Sequence, residues 1–129
     1  MRKIMVTALS AVLLLALGPT AARAAATTEI EVFWTTLVAR GAAVDVNFGI
    51  TCPADVDGAV TVAITQTRDD GLIASGTTTE DFSCRNGGIL NISRVTASVL
   101  GAPFERGRAR LTMLVTGAAP ISQNVRLQN

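Results

Sequence analysis

Residues 43–52 read AVDVNFGITC, with Val44, Val46, Phe48, Ile50 and Cys52 on one parity and Asp45, Asn47 and Thr51 on the other. Successive side chains leave opposite faces of an extended backbone, so this period of two predicts a strand buried on one face only. Val60, Val62 and Ile64 repeat the pattern against Thr61, Ala63 and Thr65. Asp69-Asp70-Gly71 then supplies residues that tolerate left-handed backbone angles, which predicts a hairpin turn into Leu72-Ile73-Ala74. Phe82 and Cys84 mark a short strand, and Asn86-Gly87-Gly88 turns the chain toward Ile89. There the parity breaks, because Leu90 and Ile92 share one face while Val95, Ala97 and Val99 take the other; a β-bulge or strand change near Ser93-Arg94 is the expected cause. Ala109, Leu111, Met113 and Val115 form the next inward set, and residues 121–127 a last strand alternating with Ser122, Asn124 and Arg126. At the other end of this domain, Ile30, Val32 and Trp34 share a parity, which points Trp34 to the core and leaves one large ring of the Phe33-Trp34 pair outside. No stretch after residue 26 has a helical repeat. Seven or eight strands at this spacing predict an all-β, immunoglobulin-like β-sandwich.

The first residues follow a different rule. Arg2 and Lys3 precede an uncharged, largely apolar run over residues 4–17, which Gly18-Pro19 ends, and Ala22-Arg23-Ala24 follows as a small-x-small cleavage signal. The run is short for a bilayer span, so residues 1–24 read as a secretory signal peptide, cut after Ala24 or Ala26, rather than as a retained membrane helix. Residues 25–129 are then one small immunoglobulin-like domain of 105 residues. Without the leader, eight basic residues face ten acids, for a charge near −2. That balance lacks the basic excess of nucleic-acid-binding proteins and gives no reason to expect membrane association once the leader is gone.

The chain has two cysteines, and both fall on inward parities of predicted strands. In an exported chain, Cys52 and Cys84 read as a structural disulfide, worth about 3–4 kcal/mol for a loop of this length in the chain-entropy treatment. With no histidine anywhere, a thiol nucleophile lacks its usual base and a zinc site lacks imidazole ligands. Asp55 and Asp57 raise the question of calcium, with Asp69, Asp70, Glu80 or Asp81 as helpers, but the D-V-D-G spacing lacks the ligand run of an EF-hand loop. A polar turn with Asp57-Gly58 at its bend is the plainer reading, and no cofactor is expected. A Glu80-based carboxylate pair for glycoside hydrolysis has no visible substrate cleft, and the Asn91-Ile92-Ser93 sequon lies in a predicted strand.

Arg106, Arg108 and Arg110 alternate along one strand, so they point the same way and offer a short cationic ladder for phosphate, sulfate or carboxylate groups. The plainer alternative is a solvated sheet face whose arginines pair with Asp45, Glu29 or Glu31. Trp34 is the one tryptophan and tyrosine is absent, which argues against a sugar-stacking platform; an exposed ring beside Leu37 would instead mark an edge contact or dimer patch.

The runs VxVxFGITCP from Val44, AVTVAITQTRDDGLIASG from Ala59, FSCRNG from Phe82 and APFERGRARLTMLVTG from Ala102 resemble small secreted immunoglobulin-like proteins of unknown function common in actinobacteria. The resemblance spans about residues 43–117 and implies a fold without transferring any catalytic residue. A tryptophan expected of that group after FSCRNG is Leu90 here, read as a core position. The implied architecture is also similar to that of secreted chromoprotein carriers of the neocarzinostatin type, whose second cysteine pair this chain lacks. Together these readings predict a secreted or envelope-associated, non-catalytic binding module whose partner is an anionic cell-wall polymer or another secreted protein. A protease inhibitor presenting residues 100–104 or the Cys52-Pro53 turn, and a carrier of an apolar small molecule, are the alternatives.

Overall fold

The computed structural model of the chain describes residues 27–129; the expected leader and its cleavage site lie outside them. Seven strands follow in order: β1 (Glu29–Val38), β2 (Ala43–Thr51), β3 (Val56–Thr67), β4 (Ile73–Cys84), β5 (Ile89–Thr96), β6 (Gly107–Val115) and β7 (Ile121–Leu127). They form two antiparallel sheets, β1-β2-β5 and β4-β3-β6-β7. This is an immunoglobulin-like sandwich in which the fourth strand pairs with the third instead of joining the first sheet as it does in constant-type domains. Among the described residues the one helical element is a single 3-10 turn (Ala39–Gly41) between β1 and β2, and no helix is long and apolar enough to cross a membrane.

The alternation in the sequence becomes the core directly. Val44, Val46, Phe48 and Ile50 of β2 are buried against Val60, Val62 and Ile64 of β3 and Leu111 and Met113 of β6. Burial of side chains this size contributes about 1.5–3 kcal/mol each, so these inner faces hold the two sheets together. Cys52, just past β2, and Cys84, at the end of β4, are both buried and joined in a disulfide with Cα atoms 6.3 Å apart. The bond therefore staples one sheet to the other.

Three local expectations are corrected. First, the short strand expected at Phe82 and Cys84 is the end of one continuous strand of 12 residues, β4, which begins at Ile73. Gly76 sits where an added Cβ would lie 2.2 Å from the Thr96 carbonyl oxygen, so its lack of a side chain admits the close approach of β5. Second, β5 pairs with β2 without interruption from Ile89 to Thr96; no bulge lies at Ser93-Arg94. Third, Asp57 and Gly58 belong to β3, and the bend falls at residues 53–55. Gly58 is required by packing rather than by a turn, because its Cβ would lie 2.4 Å from that of Thr116.

The edges are closed unequally. Near β7, Leu37 N–H donates to the Gln128 carbonyl at 2.6 Å and Gln128 N–H to that of Thr35 at 3.3 Å, tying the two sheets. On the other side, the edge strand β4 points Glu80 inward, where its carboxylate accepts from the buried Ser93 hydroxyl at 2.9 Å. A charge aimed inward from an edge strand disfavours docking of a further strand there.

Candidate functional site

The outer face of the three-stranded sheet departs from the usual polar exterior. Pairing of β1 with β2 runs Val32↔Phe48 and then Trp34↔Asn47, so Phe33 is an extra residue in β1. A bulge of this kind resets the side-chain alternation. Ile30 and Val32 face inward before it, Thr35 and Leu37 after it, and both Phe33 and Trp34 are left on the outside. Trp34 is 57% exposed and Phe33 42%, which corrects the expectation of a core tryptophan. Their ring centroids lie 6.1 Å apart at an interplanar angle of 41°, within the range of favourable aromatic pairs.

Across the central strand, Gly49 pairs with Leu90 and Asn47 with Ile92. Leu90 is 79% exposed and Ile92 57%, so both point away from the core. Their outward direction is the cause of the parity change near Ser93: Ile89, Asn91, Ser93 and Val95 are the inward set of a regular strand. The Phe33 ring leans over Gly49, where a Cβ would stand 3.1 Å from its Cζ and 3.6 Å from Leu90 Cδ2. Large side chains on β1 and β5 thus flank small or amide groups on β2. The result is a shallow groove of about 610 Å³ lined by Phe33, Trp34, Asn47, Leu90, Asn91 and Ile92. Its four apolar side chains expose on the order of 400–500 Å², a patch of the size that on monomeric proteins is often functional. Asp45 and Arg94 border it in a forked ion pair at 2.7 and 2.8 Å. The Arg94 guanidinium holds the Asp45 carboxyl below its ordinary range.

The arginines lie on the opposite side of the molecule. Arg108 and Arg110 are on the outer face of β6, whereas Arg106 falls in the bend ahead of it, where Gly107 adopts a φ of 137°. The ladder is therefore two residues long on its own strand. β7 supplies a third member that sequence spacing does not reveal: Arg126 is paired directly opposite Arg108. Arg110 is braced by Ser122 Oγ at 2.8 Å and Asn124 Oδ1 at 3.4 Å. Asp45 and both Glu29 and Glu31 belong to the other sheet, so they are not the partners considered from the sequence. Glu105 is turned onto Arg68 Nε at 3.5 Å and the Asp69 N–H at 2.9 Å.

The carboxylates near Cys52 are occupied by turn contacts. Asp55 accepts from the Asn86 N–H at 2.8 Å. Asp57 accepts from the Ser83 hydroxyl and pairs with Arg85 at 3.1 Å; Ser83 first, and Arg85 second, draw its carboxyl below the ordinary range. Asp69 and Asp70 stand in the β3–β4 hairpin and Glu80 reaches Ser93, so of the helpers considered for calcium only Asp81, two residues along β4 from the Ser83 that pairs with Asp57, shares its face. No group of three or more metal-ligating side chains occurs among the described residues.

The segment considered for protease inhibition is tied down over much of its length. Phe104 is buried, its N–H donates to the Gly41 carbonyl at 2.8 Å, and Ala102 N–H donates to that of Ile73 at 3.3 Å. Only Val99 and Leu100 project fully, in a tight turn closed by Gly101 N–H to the Ser98 carbonyl at 3.0 Å.

No protein-family model and no curated protein matches this chain. Among solved structures, a β-glucosidase from Listeria innocua in complex with gluconolactone aligns over 79% of this chain and 16% of its own, at 11% identity and a TM-score of 0.50. The Pseudomonas fluorescens alkylpurine DNA glycosylase AlkC, bound to DNA containing an abasic site analog, aligns over 78% of this chain and 31% of its own, at 20% identity and a TM-score of 0.45. R. palustris CsgH aligns over 77% and 91%, at 18% identity and a TM-score of 0.41. The chain thus spans less than a third of either enzyme, and what the β-glucosidase likeness carries is a shared fold alone.

Proposed function

We propose that this protein is an exported, non-catalytic binding module whose contact surface is the outer face of the β1-β2-β5 sheet, and that its partner is another secreted protein. The observation that carries this reading is the bulge at Phe33, which turns two adjacent aromatic side chains outward beside Leu90 and Ile92. Aromatic anchors around an apolar centre with a polar rim are the anatomy of protein interfaces. An open groove fits a protein segment better than a carried small molecule, which a site normally encloses over most of its surface. Export is supported by the leader-like residues 1–24 and by the Cys52–Cys84 disulfide, which belongs in an oxidising compartment. The resemblance to secreted immunoglobulin-like proteins of actinobacteria fits export.

The test compares immobilised wild type with the Trp34→Ala/Leu90→Ser variant, using the secreted fraction of the native organism and circular dichroism to confirm folding. A specific protein retained by wild type at stoichiometric yield and lost by the folded variant supports the assignment. Equal retention by both would remove the face from the mechanism.

A further inference from the structure

The four-stranded sheet carries a second surface that the protein-binding reading does not use. Arg108 on β6 and Arg126 on β7 are directly paired across antiparallel strands. Residues opposite each other in this way have Cβ atoms about 5 Å apart and project to the same side, and like charges so placed are mutually destabilising. Arg110, two residues along β6, adds a third guanidinium on the same face, with Arg106 at its rim. Among the described residues none of these four arginines has a carboxylate within ion-pair distance, whereas Arg68, Arg85 and Arg94 each do. Of the acids at this end of the sheet, Glu105 and Asp70 are engaged by Arg68, and Asp69 lies in the β3–β4 turn. Asp81 is paired with Ala59, six residues along β3 from Thr65, which pairs with Arg110, a separation of roughly 20 Å at the rise of a strand.

The arrangement is also held firmly. Buried Gln66 donates from Nε2 to the Glu105 and Arg108 carbonyls at 2.8 and 3.3 Å and accepts the Glu105 N–H at 2.9 Å. This clamp fixes the bend that leads Arg106 into the strand bearing Arg108 and Arg110. Arg110 is further oriented by Ser122 and Asn124. Three guanidinium groups on a rigid sheet, none within ion-pair distance of a carboxylate among the described residues, are suited to forked hydrogen bonds with tetrahedral oxyanions.

We propose that Arg108, Arg110 and Arg126 form a binding site for a linear polyanion bearing phosphate or sulfate groups, independent of the apolar face on the other sheet. A polymer fits better than a lone ion, because the guanidinium groups are spread along and across two strands and sit in open solvent, where single contacts are weak. Nucleic acid is disfavoured: the exposed aromatic pair that would stack bases lies on the opposite sheet.

Binding of fluorescently labelled inorganic polyphosphate and of dextran sulfate to the full chain tests this. Wild type is expected to bind at least one of them with an affinity that falls with salt, at a log–log slope of about −2 for three neutralised charges. Arg108→Gln/Arg126→Gln should weaken binding at least tenfold and flatten the slope. Arg85→Gln/Arg94→Gln, which changes net charge equally but removes paired arginines, should stay within about twofold of wild type, a margin well under the tenfold step of 1.4 kcal/mol. Preference for polyphosphate or for dextran sulfate identifies the anion class. The proposal fails if wild type binds neither polymer, if the two double variants lose affinity equally, or if a single-stranded oligonucleotide of matched charge binds more tightly than both polymers.

Discussion

The two outer faces of this sandwich are built on one core and differ in almost every other respect. On β1-β2-β5 the face is apolar, because a single bulged residue and two aliphatic side chains on β5 break the rule that the exterior is polar. On β4-β3-β6-β7 the exterior is mainly threonine, serine and asparagine, with Ile73 and Leu114 as separate exposed apolar side chains and an arginine cluster at one end. The first face conflicts with solubility and the second with charge balance. Neither feature helps the fold, and a feature that the fold does not require is where a binding role is to be sought.

Substitutions at like residues in unlike places sharpen this contrast most strongly. Phe48→Ala removes a fully buried ring from β2 and should cost about 3–5 kcal/mol. Phe33→Ala, the same chemical change on the outer face, should stay below about 1 kcal/mol in urea unfolding. Near-equal losses would mean that the outer ring is structural. Cys52→Ala/Cys84→Ala comes next, at about 3–4 kcal/mol, and should leave the ligand affinity of both faces unchanged at temperatures where the variant stays folded.

Deleting Phe33 should restore unbroken alternation in β1, keep Trp34 outside and weaken partner binding at least tenfold, with a smaller effect on the melting temperature than Phe48→Ala. Arg126→Glu places opposite charges across from each other on β6 and β7. It should raise stability by a few tenths of a kcal/mol while abolishing polyanion binding, a pairing of outcomes that a purely structural role for Arg126 does not produce.

The smallest effect is on acid stability. Asp70 is held below the ordinary carboxylate range chiefly by the Leu72 N–H, Asp57 chiefly by Ser83 and Asp45 chiefly by Arg94. A carboxyl depressed in the folded state contributes stability above its unfolded value, and that contribution fades as pH falls through the folded value. Thermal melting should therefore be flat near neutrality and decline below about pH 4. Asp45→Asn should lessen the decline slightly.

Much of the fold was legible because the core strands β2, β3 and β6 carry apolar residues on one parity and are paired along that register. The Asp69-Asp70-Gly71 turn was equally plain, and it closes with Arg68 N–H on the Leu72 carbonyl and Gly71 at a φ of 82°. The apolar face was hidden for the same reason that the core was visible. Parity assigns apolar residues to the interior, so Leu90 and Ile92 looked like a break in β5, and Trp34 looked like a core residue one bulge too early. The signal was present as the parity break itself: a regular strand with apolar residues on both faces produces it as readily as a bulge does. Arg126 was invisible as a partner of Arg108 because their neighbourhood depends on the β6–β7 register, which spacing along one strand does not contain.

Because Trp34 is the one tryptophan in the chain, labelling it as 5-fluorotryptophan yields a single ¹⁹F resonance at the centre of the apolar face. Titrating labelled protein with the captured secreted partner, and separately with polyphosphate, addresses the division of labour between the two sheets. The account predicts that the protein partner shifts or broadens that resonance and removes its sensitivity to solvent, while polyphosphate leaves it in place. A resonance unmoved by a bound protein partner, or one that polyphosphate moves, would contradict it.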